Sequence, residues 1–255
     1  MSAEERALAA FDRLLADVGE RADEIGPRPI ASMWPHVGSA YRPGGVFILG
    51  QALDGWDPDE CSARWHASEA RNADGRERII HGTRAWHADA PEPIAPVLEV
   101  GKRRGSTFWL FSHALVDRLV PDGSLPWYGR YAWGNLYPLG HDRPKSYPTG
   151  ALKEAQDEHV ADLLMAQVEM LDPAVVVLVC GPWYWWSARN KPAELEALTP
   201  ADRPLLATGV IEGRSWVVGL HPGGASRSTR TGPYAYAELI AETVQQSSIP
   251  PRRTE

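Results

Sequence analysis

Two apolar rhythms alternate along the chain, one of helical period and one of short unbroken runs. Leu8, Phe11, Leu14, Leu15 and Val18 recur at helical spacing and predict an amphipathic helix over residues 3–24. Val46-Phe47-Ile48-Leu49 is an apolar run that stops at Gly50, as a short buried strand does. Phe108, Phe111, Leu115 and Leu119 share one face of a helix predicted from Phe108 to Val120. Tyr131-Ala132-Trp133 predicts a short strand leading into Gly134-Asn135, with regular structure ending at Pro138. Residues 151–171 give the clearest helix, striped by Val160, Leu163, Leu164, Val168 and Leu171 and stopped by Asp172-Pro173. Ala174 to Val179 is the kind of β-branched run that a parallel sheet buries on both faces, and Gly181-Pro182 breaks it. Trp216 to Leu220 is the last predicted strand; a Pro-Gly-Gly turn follows, then a final helix from Tyr234 to Val244. Strands alternating with helices imply βαβ units, an α/β class and a mainly parallel central sheet.

Composition narrows the class of molecule. The chain has 255 residues, 44% hydrophobic and 23% charged, enough to build one α/β domain over residues 1–255. Within it, residues 57–104 read as a polar excursion carrying Pro91, Pro93 and Pro96, and residues 245–255 as a loose tail. No apolar run is long enough to span a bilayer, and the charged N-terminus does not resemble a secretory signal. The expectation is a cytoplasmic protein with no membrane partner. The two cysteines, Cys61 and Cys180, cannot supply the full ligand set of a structural zinc or an iron–sulfur cluster, and no cofactor or metal is expected. Cys180, closing an apolar run, is expected to be a buried thiol.

The net charge of −7 counts weakly against a nucleic-acid partner, because local patches matter more than the total. Lys102-Arg103-Arg104 and Arg227 with Arg230 are the candidate patches. Eleven tryptophans are many for this length, and Trp56, Trp65, Trp86, Trp127, Trp133 and Trp183 stand in loop-like sequence. Such residues either line pockets for flat ligands or seal loops against a core.

The candidate chemistry sits where predicted strands end. Gly50-Gln51-Ala52-Leu53-Asp54, Gly134-Asn135 and His221-Pro222-Gly223-Gly224 each follow an apolar run. In an open α/β sheet, ligands bind at the carboxyl ends of the strands. A carboxylate (Asp54), an amide (Asn135) and an imidazole (His221) would then face one pocket. An amide has a donor and an acceptor and can read the edge of a base. An imidazole can stabilise a departing oxyanion, and a carboxylate can orient water. Backbone amides at Gly223 and Gly224, with Ser226, Arg227 and Arg230, suit an anionic group. Each feature has a plainer counterpart: Asn135 as a turn residue, His221 as a strand cap, Phe108 and Trp109 as core. Together the parts suit cleavage of a glycosidic bond to a nitrogen base.

These residues resemble the uracil-DNA glycosylase superfamily, most of all its single-strand-selective monofunctional branch. Gly105-Ser106-Thr107-Phe108-Trp109 is similar to that branch's Ser-Gly-x-x-Phe-Trp segment. Trp133-Gly134-Asn135-Leu136-Tyr137-Pro138-Leu139 resembles its His-Asn-Leu-Cys-Pro-Leu segment, and His221-Pro222 its His-Pro-Ser motif. The order and spacing match over roughly residues 46–244. The resemblance implies a three-layer α/β/α sandwich and a pocket for a base flipped out of DNA. It also implies catalytic roles for His221 and Asp54, and base-binding roles for Asn135, Gln51 and Phe108 or Trp109. Gly223, Gly224, Ser226, Arg227 and Arg230 would approach the DNA. Two departures stand out: Ala52 occupies the family's water-positioning site, usually Asp, Asn or Glu, and Gly223-Gly224-Ala225 replaces the serine-containing stretch. The glycines leave room for a bulkier or modified base. The expected function is a monofunctional DNA glycosylase-like hydrolase acting on DNA, single-stranded or carrying a modified base, with no obligate protein partner. The alternatives are a non-catalytic nucleic-acid-binding module, to which Ala52 points, and a nucleoside or nucleotide hydrolase, which suits the acidic charge.

Overall fold

The computed structural model describes residues 1–52, 64–88, 106–141, 148, 150–181, 195–198 and 204–247. The chain opens with helix α1 (Ala3–Glu20) and a short α2 (Ala22–Ile25), followed by strands β1 (Ile30–Ser32), β2 (His36–Val37), β3 (Val46–Ala52) and β4 (Arg64–Trp65). Helices α3 (Ala73–Ala88) and α4 (Thr107–Leu119) precede β5 (Ala132–Tyr137) and β6 (Leu139–His141). Then come α5 (Ala151–Asp157), α6 (Val160–Leu171), β7 (Val175–Leu178), β8 (Glu196–Ala197), β9 (Leu205–Ile211), β10 (Arg214–Gly219), α7 (Pro222–Thr229) and α8 (Pro233–Gln246). No helix among the described residues is long and apolar enough to cross a membrane.

The fold is mixed α/β. A seven-stranded sheet has the order β2-β5-β3-β7-β10-β9-β8, and a smaller sheet has the order β4-β1-β6. The four inner strands β5, β3, β7 and β10 run parallel, whereas β2, β9 and β8 pair antiparallel at the flanks. The chain goes from β3 outward to β5 and then crosses back to β7 on the other side of β3. Such a reversal opens a crevice at the carboxyl ends of the strands. The expected strands at 46–49, 174–179 and 216–220 are all in this parallel centre, and their side chains Phe47, Ile48, Val176, Val177, Val217 and Val218 are buried. Helices α4 and α8 pack on each other and against β3 and β10, while α1 packs on α6. The N-terminal helix starts with a reciprocal cap: Ser2 Oγ accepts from the Glu5 amide and Glu5 accepts from the Ser2 amide. Its apolar stripe, from Ala7 to Val18, is wholly buried in a second cluster with Trp65, Leu139 and Leu163.

Three local expectations are corrected and one strand is added. Residues 151–171 form two helices, because buried Gln156 turns inward to bond both the amide (2.9 Å) and the carbonyl (3.1 Å) of Leu139. Regular structure does not end at Pro138: its carbonyl accepts from the Met33 amide, and β6 continues beside β1. Proline lacks a donor but keeps its acceptor, so it is tolerated there. Residues 205–211 are a strand, joined to β10 by Glu212 and Gly213, both with positive φ (49° and 75°), as a tight hairpin requires. Lastly, the stretch after His221 is a helix, α7, and not a turn with open amides. Pro222 stands in its first turn, where a missing N–H costs nothing. Of the loose tail expected over 245–255, Gln245 and Gln246 belong instead to α8, and residues 248–255 lie outside the described residues.

Candidate functional site at the carboxyl edge of the sheet

Strand register brings the predicted residues to one edge. Gly50 of β3 pairs with Asn135 of β5, and Leu49 pairs with Leu178 of β7, which pairs with Val218 of β10. The amide of Val179 continues the ladder to the Leu49 carbonyl at 2.9 Å. One step along, Asn135, Gly50, Val179 and Gly219 therefore form a row across four parallel strands. His221 follows two residues later.

Gly50 is the floor of this region. A Cβ placed on it would lie 2.8 Å from Asn135 Oδ1 and 3.3 Å from Phe108 Cε2. Any side chain at position 50 would displace the amide and crowd the ring, so glycine is required by close approach. The Asn135 Nδ2 group donates to the Met33 sulfur at 3.2 Å. A thioether is a weak acceptor, so this bond yields readily to a better one.

Phe108 joins the amide to the imidazole. Its ring is nearly parallel to that of His221, at 9° with centroids 6.0 Å apart. The chain thus brings together Asn135, Gly50, Phe108 and His221, four groups from four separate segments. Trp109 is not part of the group. It is 8% exposed and sits edge-on to Trp133 (4.9 Å, 85°) and to Phe108 (4.7 Å, 75°). Of the two candidates for base stacking, Trp109 faces the core and props Phe108, because adjacent helix positions point about 100° apart.

His221 caps α7. Its Nδ1 accepts from the Gly223 amide at 3.3 Å. In the neutral ring that leaves the proton on Nε2, which is then a donor. The His221 carbonyl accepts from Gly224 (2.7 Å) and Ala225 (2.8 Å). Thr107, the first residue of α4, abuts the same turn: its Oγ1 would be 3.2 Å from a Cβ on Gly223. The positive ends of α4 and α7 therefore meet at His221, an arrangement that favours negative charge. Gly181, with φ 73°, brings the end of β7 against the His221 backbone.

The other predicted residues are dispersed around this centre. Gln51 is half-buried on β3, one residue beyond Gly50. Gly224 has open space where a side chain would stand, Ser226 is half-buried, and Arg227 and Arg230 are exposed along and just past α7. Arg230 ends the helix in a left-handed conformation (φ 59°). Asp54, Cys61, Trp56, Trp183 and Lys102 to Arg104 lie outside the described residues, as does the side chain of Trp86. Trp65, Trp127 and Trp133 are buried and seal the core. Cys180 is wholly buried, which pushes its thiol up to about 12.

Three participants escaped the sequence reading: Met33, Thr107 and Tyr236. Met33 carries no motif, and Thr107 stands at an unspecified position of the Gly105–Trp109 segment. Tyr236 had one indirect signal, Gly219 inside a strand otherwise rich in valine, which marks a close approach. A groove of about 590 Å³ lies at the opposite end of the sheet, lined by Trp34, Pro35, Tyr41, Pro43 and Met170 among others, and holds none of the predicted residues. No family model matches the chain, and no curated protein matches it.

Proposed function

We propose that this protein hydrolyses the N-glycosidic bond of a base flipped out of a nucleic-acid strand, as the resemblance to uracil-DNA glycosylases implies. The observation that carries the reading is the convergence of Asn135, Phe108 and His221 over the bare floor of Gly50. In this reading Phe108 stacks on the base, and Asn135 exchanges its bond to Met33 for the base's amide edge. His221 donates a hydrogen bond from Nε2–H, keeping the proton, to the base oxygen on which charge develops as the C–N bond breaks. The base leaves as an anion, water adds to the sugar carbon, and the proton of that water passes to a carboxylate or to solvent. Asp54 is the carboxylate the resemblance assigns to the water. The pairing of α4 with α8 and of α1 with α6 suits a three-layer arrangement around the sheet. Arg227 and Arg230 would hold phosphates.

The test is a panel of oligonucleotides carrying uracil, hypoxanthine, xanthine or modified cytosines, incubated with the protein and cleaved with alkali. Strand scission at one of these bases is expected. No abasic product from any of them overturns the hydrolase reading. His221→Ala should lower turnover about 10²–10³-fold and change binding little, as loss of an oxyanion donor does. Equal losses in both would make His221 a binding residue. Ala52, which brings no polar group to the family's water-positioning place, favours one second reading: a binding module of the same fold. Tight, salt-dependent binding of the modified strands without base release would select it.

A further inference from the structure

Tyr236 of α8 is wholly buried, and burial holds its phenol well above the usual range, so it remains a hydroxyl donor. Its oxygen is 3.0 Å from the carbonyl of Leu220 and 3.5 Å from that of Pro204. Pro204 in turn accepts from the Leu220 amide at 3.0 Å. The hydroxyl therefore grips both sides of the residue that immediately precedes His221. The strand is shaped to admit it. A Cβ on Gly219 would lie 1.9 Å from the Tyr236 oxygen, and the β9–β10 register shifts between Val218 and Gly219. A buried tyrosine needs some partner for its hydroxyl, and most core tyrosines find one without deforming a strand. Here the bond is made to the last carbonyl before His221, and the strand gives up a side chain to make it.

We propose that Tyr236 is the positioning residue of His221: its hydroxyl clamps the Leu220 carbonyl and thereby fixes where the imidazole stands and which nitrogen it offers. Next to it, the Gly223 amide selects the tautomer, but that bond is long and depends on the angle at which the chain enters α7. Tyr236 sets this entry angle from the strand side. Phe111, tilted against the Tyr236 ring at 5.1 Å, keeps the phenol in place from α4. As a catalytic claim, this rests on the role given to His221 above. As a structural claim, it stands without that role.

The experiment uses the full chain with ¹⁵N-labelled histidine, the His221 signals being assigned by their loss in His221→Gln. In the wild type at neutral pH, His221 is expected as a single Nε2–H tautomer, with a protected Gly223 amide. In Tyr236→Phe the ring nitrogens should move toward the tautomer-averaged position, and the Gly223 amide should exchange at least tenfold faster. With a base-releasing substrate, kcat should fall about tenfold with KM unchanged. Unchanged His221 nitrogens and an unchanged Gly223 amide in the folded variant overturn the clamp, whatever the activity. Absence of base release in the wild type overturns the glycosylase reading alone and leaves the nitrogen spectra to decide the clamp. Should Tyr236→Phe not fold, the wild type decides: a Tyr236 hydroxyl proton shielded from water exchange and close to the His221 amide supports the clamp, and one in rapid exchange overturns it. Gly219→Ala combined with Tyr236→Phe supplies a further arm. Removing the oxygen removes the closest clash, so the double variant should be more stable than Gly219→Ala alone; equal or lower stability overturns the fit between the two.

Discussion

Gly50 and Gly219 stand in the same row of the parallel sheet, and each yields its side-chain space to a polar tip from elsewhere. At Gly50 the visitor is the Asn135 amide, 2.8 Å from where a Cβ would be; at Gly219 it is the Tyr236 hydroxyl, at 1.9 Å. The two visitors differ in what they do next. Tyr236 is wholly buried and donates its one hydroxyl proton to the Leu220 carbonyl, so its donor is committed to holding the strand. Asn135 is half-buried and, among the described residues, donates to a thioether sulfur alone. A satisfied polar group is architecture, whereas one resting on a poor partner at the lip of a sheet is available to a ligand. Sheet position alone does not distinguish a site residue from a structural one; the quality of its present partner does.

The largest expected effect follows from Gly219. Gly219→Ala puts a methyl against an oxygen that cannot retreat, with the Pro204 carbonyl 3.3 Å away on the backbone. Overpacking of this severity should cost about 3–4 kcal/mol and lower Tm by roughly 6–12 °C. Thermal unfolding checks it. A fall of less than about 2 °C would mean that the strand end is soft and that Tyr236 holds nothing there.

Acid should act on the other flank. His36 of β2 pairs with Trp133 of β5, two residues before Asn135, and is 4% exposed. Burial lowers its imidazole from the ordinary 6.5 to about 4. The unfolded chain therefore binds this proton more readily than the folded one. The stability it confers is complete above pH 6.5 and drains away as pH falls toward 4, by up to about 3 kcal/mol. Amide exchange should rise first at residues 36–37 and 132–133, on the Asn135 side, and not at the Tyr236 end. His36→Gln should flatten this pH dependence; an unchanged acid slope would place its origin elsewhere.

The unequal legibility of the chain has the same physical root. The strands β3, β7 and β10 are readable because burial on both faces demands unbroken apolar runs such as Val175 to Val179. The strand β9 was missed because Thr208-Gly209-Val210 has weak alternation and its hairpin turn is Glu-Gly rather than Asn-Gly. The helix α7 was missed because Pro222-Gly223-Gly224 has turn composition; it is a helix because His221 caps it and α4, distant in sequence, packs on it. For the site, the strand ends and the residues Asn135 and His221 were readable, since several apolar runs close on polar residues in an order that resembles one family. Phe108 and Trp109 could not be separated, both being aromatic and adjacent, until the helix turned one toward His221 and the other toward Trp133. Tyr236 was signalled only indirectly, by Gly219, because a buried tyrosine's partner depends on tertiary packing.

Gly50→Ala is the counterpart of Gly219→Ala and should be far milder on stability. The atoms it meets, Asn135 Oδ1 and Phe108 Cε2, are side-chain tips that can swing away, so a loss of about 1 kcal/mol is expected. Yet that swing moves the amide and the ring from their shared position. Affinity for a base-bearing strand, followed by fluorescence titration, should fall at least about tenfold, about 1.4 kcal/mol. A variant as unstable as Gly219→Ala, or one that binds normally, would erase the distinction between the two glycines.

The smallest stability effect, and the sharpest functional one, belongs to Asn135 itself. Among the described residues its side chain bonds a sulfur alone, so Asn135→Ala removes a weak bond from a half-buried position and should change stability by less than about 0.5 kcal/mol. A turn residue bonding its own backbone would behave differently, because its loss would loosen β5 and lower Tm measurably. If Asn135 is there to meet a base, Asn135→Ala should weaken binding of all modified strands, whereas Asn135→Asp, which keeps the shape and loses the donor, should change their ranking. The ranking matters more than the loss: an amide that merely fills space can be replaced by any group of its size, and only one that reads a donor–acceptor pattern transmits the swap of a single nitrogen to the choice of partner.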